Sequence, residues 1–258
     1  MCRYFYTAKK IEGGNIKIQL CASKIIKIID IFSGRPIENA KVHITETNNF
    51  MLNKGNGFFV ALNLKKGTYY ATVSAEGYHT KKISFEIEET YTDDVMLVSL
   101  LSANTDEYIH ICGVLKVNRK KAEKREFYYT FCCDEYRKRI TSDVKNGSDT
   151  IRLQIYEDTS LEGRKFALEE ALGIYTLGRY DYVEKKYKLK ESSKQDMEMG
   201  QFAYLLFEGE TDDEGRFEIY FPKFIMKDDC ITALFFLGNK STCNEILKDQ
   251  KNEIVVKF

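Results

Sequence analysis

The sequence contains few residues of several types, and it lacks the apolar segments that mark exported or membrane proteins. Among its 258 residues there is no tryptophan, and there are only two prolines and three histidines. No segment approaches the roughly 18 apolar residues that a membrane-spanning helix needs, and residues 1–10 lack the apolar core of a signal peptide. We therefore expect no membrane insertion and predict a cytoplasmic protein.

Charge and cysteine usage exclude several further classes. Thirty-nine basic residues balance 39 acidic ones, so the net charge gives no attraction to nucleic acid, and the basic residues at 116–124 are interpreted as a solvated loop. The seven cysteines are scattered without a CxxC pair, which favours free thiols over a disulfide framework. The GxxxxGK[ST], GxGxxG and GxSxG motifs are absent, so nucleotide and α/β-hydrolase chemistry have no support.

What the sequence does contain is a series of short strands. Tyrosine and phenylalanine number 17 each, and these residues favour sheet. Residues 25–29 are an almost continuous apolar run, typical of a strand covered on both faces, and Ile83, Phe85 and Ile87 alternate with polar residues. Six or seven such strands, at roughly ten-residue spacing between glycine turns, predict an antiparallel β-sandwich over residues 24–101.

Motif residues in the same region carry a resemblance to a known family. The first group is Asp30, Gly34, Arg35, Pro36, Ile37, Ala40, Val42 and Ile44, and the later marks are Gly57, Phe59, Leu64, Gly67, Tyr69, Gly77 and Tyr78. In this order they resemble the carboxypeptidase regulatory-like domains of the wider transthyretin (prealbumin)-like group, over residues 25 to 100. The resemblance implies a non-catalytic sandwich that serves as a folding aid, spacer or docking module. One departure is the loop at residues 53–57, which lacks the acidic residue of the family's T-D-x-x-G.

The rest of the chain predicts a second domain. Residues 1–23 are interpreted as a lead-in strand, and residues 106–258 as a β-rich domain of related architecture, because Thr211 to Phe217 repeats T-D-x-x-G-x-F. Apolar residues recur every three or four positions between Leu161 and Tyr175, which predicts one short helix near residues 161–176. The fold class is therefore mainly β with one helix.

Four places could carry chemistry, and each has a structural alternative. His43 and Glu46 spell HxxE, which resembles the zinc motif of metallocarboxypeptidases, but residues three apart in a strand face opposite ways. His110 and Cys112 share a strand face and could serve nucleophilic or metal chemistry, although a partly buried histidine beside a buried thiol is the favoured interpretation.

The other two places are a cysteine pair and an acidic turn. Cys132 and Cys133 are adjacent and so face opposite sides of a strand, unlike a CxxC redox pair. Residues 212–215 are acidic but lack the ligand spacing of an EF-hand, so a turn is favoured over a weak ion site. We predict no catalytic residue, no metal and no cofactor.

These observations favour a non-enzymatic structural or protein-interaction scaffold. The resemblance extends to the sandwiches of phage-tail-like contractile injection particles, which implies a component of a larger assembly. The predicted contact surface is Tyr175, Arg179, Tyr180 and Tyr182, because tyrosine and arginine are favoured at interfaces. The alternatives are a carbohydrate- or small-ligand-binding module, and an enzyme acting through Cys133 or His110.

Overall fold

Strands make up almost all of the regular structure. The computed structural model describes residues 21–88, 95–155, 161–169, 173–248 and 252–258. The helical elements in these ranges are two short 3₁₀ helices, Thr105–Glu107 and Lys223–Ile225. No helix in these ranges has the length and apolar character needed to span a bilayer. The prediction of a mainly β chain is confirmed.

The chain divides into two compact units, Met1–Asn104 and Thr105–Phe258. The strands of the first unit are β1 (Ala22–Asp30), β2 (Lys41–Ile44), β3 (Asn49–Phe50), β4 (Leu52–Asn53), β5 (Phe58–Leu62), β6 (Gly67–Ser74), β7 (Lys81–Ile87) and β8 (Val95–Leu100). Residues 1–20 of the predicted lead-in strand lie outside the described residues.

The first unit is a sandwich of two four-stranded sheets, in the orders β4-β5-β1-β8 and β3-β2-β6-β7. Both sheets send side chains into one core: Ile26, Ile28 and Phe59 come from the first sheet, and Val42 and Val73 from the second. The predicted N-terminal sandwich is therefore confirmed. One pairing departs from the predicted antiparallel order: β8 runs parallel to β1, whereas the other neighbouring strands of the two sheets run antiparallel.

The motif residues Pro36 and Gly57 lie far apart in the sequence but in contact in the fold. The φ of Gly57, +74°, is left-handed, and a Cβ there would lie 2.6 Å from the carbonyl oxygen of Ile28 and 3.0 Å from Cβ of Pro36. The Ile28 N–H donates a hydrogen bond to the Gly57 carbonyl oxygen at 2.8 Å. Any side chain at position 57 would push these strands apart, so the close approach requires glycine.

The second unit contains fourteen described strands. They are β9 (Tyr108–Val117), β10 (Lys120–Lys121), β11 (Glu126–Phe131), β12 (Arg137–Arg139), β13 (Thr150–Ile151), β14 (Lys165–Ala167), β15 (Tyr175–Asp181), β16 (Lys186–Leu189), β17 (Phe202–Leu205), β18 (Phe207–Glu210), β19 (Arg216–Pro222), β20 (Cys230–Leu237), β21 (Lys240–Leu247) and β22 (Asn252–Lys257).

These strands form three sheets. One has the order β10-β9-β19, with β22 parallel to β9; the others are β18-β11-β20-β21 and β12-β17-β14-β15-β16-β13. Aromatic side chains join the first two sheets, since the ring of Phe127 lies 5.0 Å from that of Phe217 and the ring of Phe131 lies 4.2 Å from that of Phe221. The functional features described below lie on the first and third sheets.

The helix predicted near residues 161–176 is wrong. The described part of this segment holds a turn, strand β14 and the start of β15. Phe166 pairs with Tyr175 on β15 and with Leu205 on β17, so β14 lies inside the six-stranded sheet. Its apolar residues recur because neighbouring strands and the core cover them, and this tertiary pairing overrides the helical pattern of the sequence.

Candidate functional site

Strand β9 presents His110 and Cys112 on the outer face of its sheet. Ile109, Ile111 and Leu115 are at most 3 % exposed and point into the core. Successive side chains of a strand alternate between faces, so His110 and Cys112 point the other way. The structure therefore places both residues on the shared face that their spacing predicted.

Two glutamates from other strands flank Cys112. In the antiparallel pairing of β9 with β19, Glu218 lies opposite Cys112 and Tyr220 lies opposite His110. In the parallel pairing of β9 with β22, Glu253 is the partner of Cys112. Both glutamates are remote from Cys112 along the chain, so no local motif could have identified them. The alternation within β19 indicates that Glu218 lies on the outer face of the sheet. It does not identify the strand that pairs with β19.

The His110, Cys112 and Glu218 side chains converge, and we call them the His–Cys–Glu cluster. Nε2 of His110 lies 3.6 Å from Sγ of Cys112 and 3.4 Å from Oε2 of Glu218. One ligand atom from each residue falls within 4.8 Å of the other two. The His110 ring stacks on Tyr220, with ring centroids 4.8 Å apart and planes 12° from parallel. Nitrogen, sulfur and oxygen donors in this arrangement suit a transition-metal ion.

An open groove of about 790 Å³ borders the cluster. Its lining includes Cys112 and four acidic residues, Glu210, Asp212, Glu218 and Glu253. Arg216 also lines the groove, and its guanidinium lies 2.6 Å from the Glu214 carboxylate. Carboxylates therefore dominate the charge of the groove, which favours cations.

The four residues predicted as a contact surface do not share one environment. Tyr175 is 1 % exposed, and its hydroxyl accepts a hydrogen bond from the Lys194 N–H at 3.2 Å, so it is a core residue. Tyr180 is half-buried against the same core. Arg179 is exposed, and Tyr182 is 80 % exposed. The contact role of these last three residues stays a prediction, while Tyr175 lies away from the surface.

The turn between β15 and β16 projects two apolar side chains into solvent. Residues 182–185, the hairpin tip, include Tyr182 and Val183, which are 80 % and 91 % exposed. The Asp181 carboxylate accepts hydrogen bonds from the N–H groups of Val183 at 2.9 Å and Glu184 at 3.0 Å. These hydrogen bonds hold the pKa of Asp181 below its ordinary value.

The ring of Tyr182 packs on the first of two further tyrosine rings that lead to the core. It meets Tyr180 edge-on at 5.0 Å, and Tyr180 in turn packs at 4.7 Å on Tyr187, which is 1 % exposed. Burial raises the pKa of Tyr187 to about 12, and its hydroxyl accepts a hydrogen bond from the Leu161 N–H at 3.2 Å. Tyr182 is thus connected to the core through Tyr180 and Tyr187.

The HxxE residues have separate partners. Nε2 of His43 lies 2.9 Å from Oδ1 of Asn48. The Glu46 carboxylate accepts hydrogen bonds from the Tyr70 N–H at 3.0 and 3.1 Å. Both residues therefore have structural contacts, His43 within β2 and Glu46 in the turn that follows this strand.

The adjacent cysteines are shielded thiols. Burial raises the pKa of Cys133 to about 12, and burial together with the nearby Glu169 raises the pKa of Cys132. Because the thiolate is the reactive form, both side chains are poor nucleophiles at neutral pH.

The acidic turn at residues 212–215 is held by its own backbone. Oδ1 of Asp212 accepts hydrogen bonds from the N–H groups of Arg216 and Glu214, both at 2.8 Å, and these bonds lower the pKa of the carboxyl. Asp213 lies 2.7 Å from Nζ of Lys124. The carboxylates therefore have partners within the chain, as the favoured turn interpretation expects.

Comparisons with solved structures found weak likenesses, including the following three. The Bacillus anthracis TIE protein is 13 % identical with a TM-score of 0.24, and the match covers 92 % of this chain and 50 % of that one. A protein described as an adhesin from Bacteroides ovatus is 10 % identical with a TM-score of 0.23, covering 92 % and 93 %. A streptococcal ancillary pilin is 9 % identical with a TM-score of 0.19, covering 90 % and 97 %. The chain spans half the length of the Bacillus anthracis protein. TM-scores this low do not support a conclusion about fold or function.

The family comparison is more informative. No curated protein matches the chain. The model of the carboxypeptidase regulatory-like domain matches residues 27–99. This match coincides with the sandwich of the first unit and with the motif residues Pro36 and Gly57 that meet in it. The predicted resemblance is confirmed for residues 27–99, which the model of the carboxypeptidase regulatory-like domain matches.

Proposed function

We propose that this protein is a non-enzymatic structural protein that binds a protein partner through the hairpin tip, as one component of a larger assembly. The carboxypeptidase regulatory-like domain supports this proposal, because its resemblance implies a spacer or docking module. The setting that we propose is the cytoplasm and a phage-tail-like contractile injection particle, whose sandwiches the first unit resembles.

The observation that carries the proposal is the ordered apolar hairpin tip. Tyr182 and Val183 are 80 % and 91 % exposed, although the turn that holds them is fixed by Asp181. Fully burying a valine side chain stabilises a complex by roughly 1.5–3 kcal/mol, and tyrosine is enriched among the residues that dominate interfaces. Since the turn is already ordered, little conformational entropy is lost on binding. The tip therefore suits insertion into an apolar pocket of a partner.

The thiol chemistry supports a non-enzymatic role and a reducing compartment. Cys133, the reactive group of the enzyme alternative, has a pKa raised to about 12 by burial, which leaves almost no thiolate at neutral pH. None of the six cysteines that the structure describes forms a disulfide. Proteins of reducing compartments such as the cytoplasm rarely contain disulfides.

A capture experiment tests the proposal. The full chain is immobilised, a lysate of the native host is passed over it, and retained proteins are identified and then titrated individually. We expect the double variant Tyr182→Ala/Val183→Ala to bind the retained partner at least about 30-fold more weakly, the loss typical of a truncated hot spot. Tyr70→Ala, which removes an exposed tyrosine of the first unit, is the matched control and should bind normally.

A second variant distinguishes the contribution of the apolar side chains from that of the ordered turn. Asp181→Ala removes the hydrogen bonds to Val183 and Glu184 but keeps the apolar side chains, so it should weaken binding less than the double variant does. A free monomer as the sole species in the native host contradicts the proposal. Equal affinity of the wild type and the double variant contradicts the assignment of the hairpin tip.

A further inference from the structure

We propose that the His–Cys–Glu cluster binds one divalent transition-metal ion of the zinc class. The ligands are Nε2 of His110, Sγ of Cys112 and a carboxylate oxygen of Glu218. A fourth coordination position faces the acidic groove. This site is separate from the hairpin tip, and its test does not depend on the proposed partner.

Two of the distances between donor atoms in the cluster match tetrahedral coordination. Usual zinc bond lengths of about 2.3 Å to sulfur and about 2.0–2.1 Å to nitrogen and oxygen place sulfur and nitrogen about 3.6 Å apart, and nitrogen and oxygen about 3.4 Å apart, at tetrahedral angles. The observed separations are 3.6 Å between His110 and Cys112 and 3.4 Å between His110 and Glu218. Without a metal, a thiol–imidazole hydrogen bond accounts for the first distance and an ion pair for the second; one bound ion would account for both.

The sheet positions these donors in advance. His110 and Cys112 lie on β9, and Glu218 lies directly opposite Cys112 on β19, so paired backbone strands fix all three Cα positions. Stacking on Tyr220 orients the imidazole. A site built on strands is held more precisely than one on loops. Binding therefore requires small side-chain rotations and no movement of the backbone.

The donor set and the groove define the class of ion. Thiolate and imidazole ligands favour zinc, cobalt or copper over magnesium and calcium, which prefer sets made of oxygen alone. As the metal–sulfur bond forms, the Cys112 thiol releases its proton to solvent. Glu253, on the other side of Cys112, also lines the groove and adds negative charge beside the ion. The open fourth position would hold water or a donor from another molecule.

Cobalt provides a direct readout of the ligands. The reduced full-length protein is stripped with a chelator and titrated with Co²⁺, and visible absorption is recorded before Zn²⁺ is added in competition. We expect one equivalent of Co²⁺ to give a tetrahedral spectrum with a thiolate charge-transfer band, which Zn²⁺ then abolishes. Circular dichroism of every variant checks that it remains folded.

Ligand variants and matched controls locate the site. Removing groups that merely orient a ligand weakens metal binding 10–100-fold, so we expect Cys112→Ser and His110→Asn to weaken it more than about 100-fold. Glu218→Gln should weaken it at least about 10-fold. Cys243→Ser and His79→Asn remove an exposed cysteine and an exposed histidine elsewhere and should leave the affinity unchanged.

Several outcomes would overturn this assignment. They are the absence of a thiolate band at saturation, wild-type affinity in Cys112→Ser, or an equal loss in the Cys243→Ser and His79→Asn controls. A folded protein that takes up no Co²⁺ or Zn²⁺ at millimolar concentration would also refute it.

Discussion

Gly113 offers the sharpest test of the packing that supports the metal-binding face. It lies on the core side of β9, directly opposite Phe217 on β19. A Cβ at position 113 would lie 2.3 Å from Cζ of Phe217 and 2.7 Å from its Cε1. The Phe217 ring is 3 % exposed and meets Phe127 at 5.0 Å and Phe235 at 5.8 Å, so aromatic neighbours limit its room to move. Gly113→Ala should therefore destabilise the second unit.

The change in the free energy of unfolding is the balance of two opposing effects. Overpacking a tight core destabilises by about 1–3 kcal/mol. Replacing glycine by alanine at a compatible backbone position stabilises by about 0.4–1 kcal/mol, because the unfolded chain loses conformational freedom. Gly113 has no left-handed φ that would add backbone strain. We therefore expect a net loss of about 1–2 kcal/mol, which corresponds to a Tm decrease of roughly 2–8 °C in a unit of this size.

Differential scanning calorimetry is the assay, because it separates the transitions of the two units. Gly173→Ala is the matched control: a Cβ there would meet its nearest neighbour, Cδ of Lys194, at 3.6 Å, so its Tm should stay the same or rise slightly. The double variant Gly113→Ala/Phe217→Leu should lose less stability than the sum of its single changes, because they share one contact. Equal Tm values for Gly113→Ala and Gly173→Ala would refute the reasoning.

Three further predictions concern single groups. The Thr130 hydroxyl is buried without a hydrogen-bond partner among the described residues, so Thr130→Val should raise the free energy of unfolding by about 1 kcal/mol in urea denaturation, and a decrease would contradict this. The pKa of Asp212 is lower in the folded protein, so the stability that its carboxylate supplies is complete above about pH 4 and is lost as the pH falls through the folded pKa. Asp212→Asn should therefore lose less stability than the wild type between about pH 5 and pH 2 in pH-dependent thermal unfolding, and parallel curves would exclude the effect. Burial raises the pKa of Cys133 to about 12, so its alkylation, followed by mass spectrometry, should be at least about 100-fold slower than that of the exposed Cys243, and comparable rates would revive the cysteine-enzyme alternative.

Local chemistry made much of the first unit predictable. Asp30 starts the motif, and its carboxylate accepts hydrogen bonds from the N–H groups of Phe32 at 3.1 Å and Ser33 at 2.7 Å. Such a turn depends on neighbouring residues, so it can be recognised in the sequence. In β7, Ile83 and Phe85 are buried between exposed polar residues, as their alternation predicts. The parallel placement of β8 beside β1 has no comparable local signal, because it pairs the first and the last described strand of the unit in sequence order.

Contacts between distant segments account for the wrong predictions. The apolar residues around Phe166 recur at a spacing that suits a helix, yet β14 lies between β15 and β17. Tyr175 looked like an interface residue by type but is 1 % exposed. Periodicity reports how often apolar residues recur and does not identify the segments that cover them. A short apolar run covered on both sides therefore has an ambiguous pattern.

The candidate metal site shows the same division between sequence and structure. The amino-acid sequence by itself determined that His110 and Cys112 share one face of a strand, because side-chain alternation is a local property of the backbone. Only the tertiary structure decided that Glu218 and Glu253 lie on either side of Cys112. Pairing between strands so far apart in the sequence depends on the total free energy of packing the core, and no short segment of the chain contains that information.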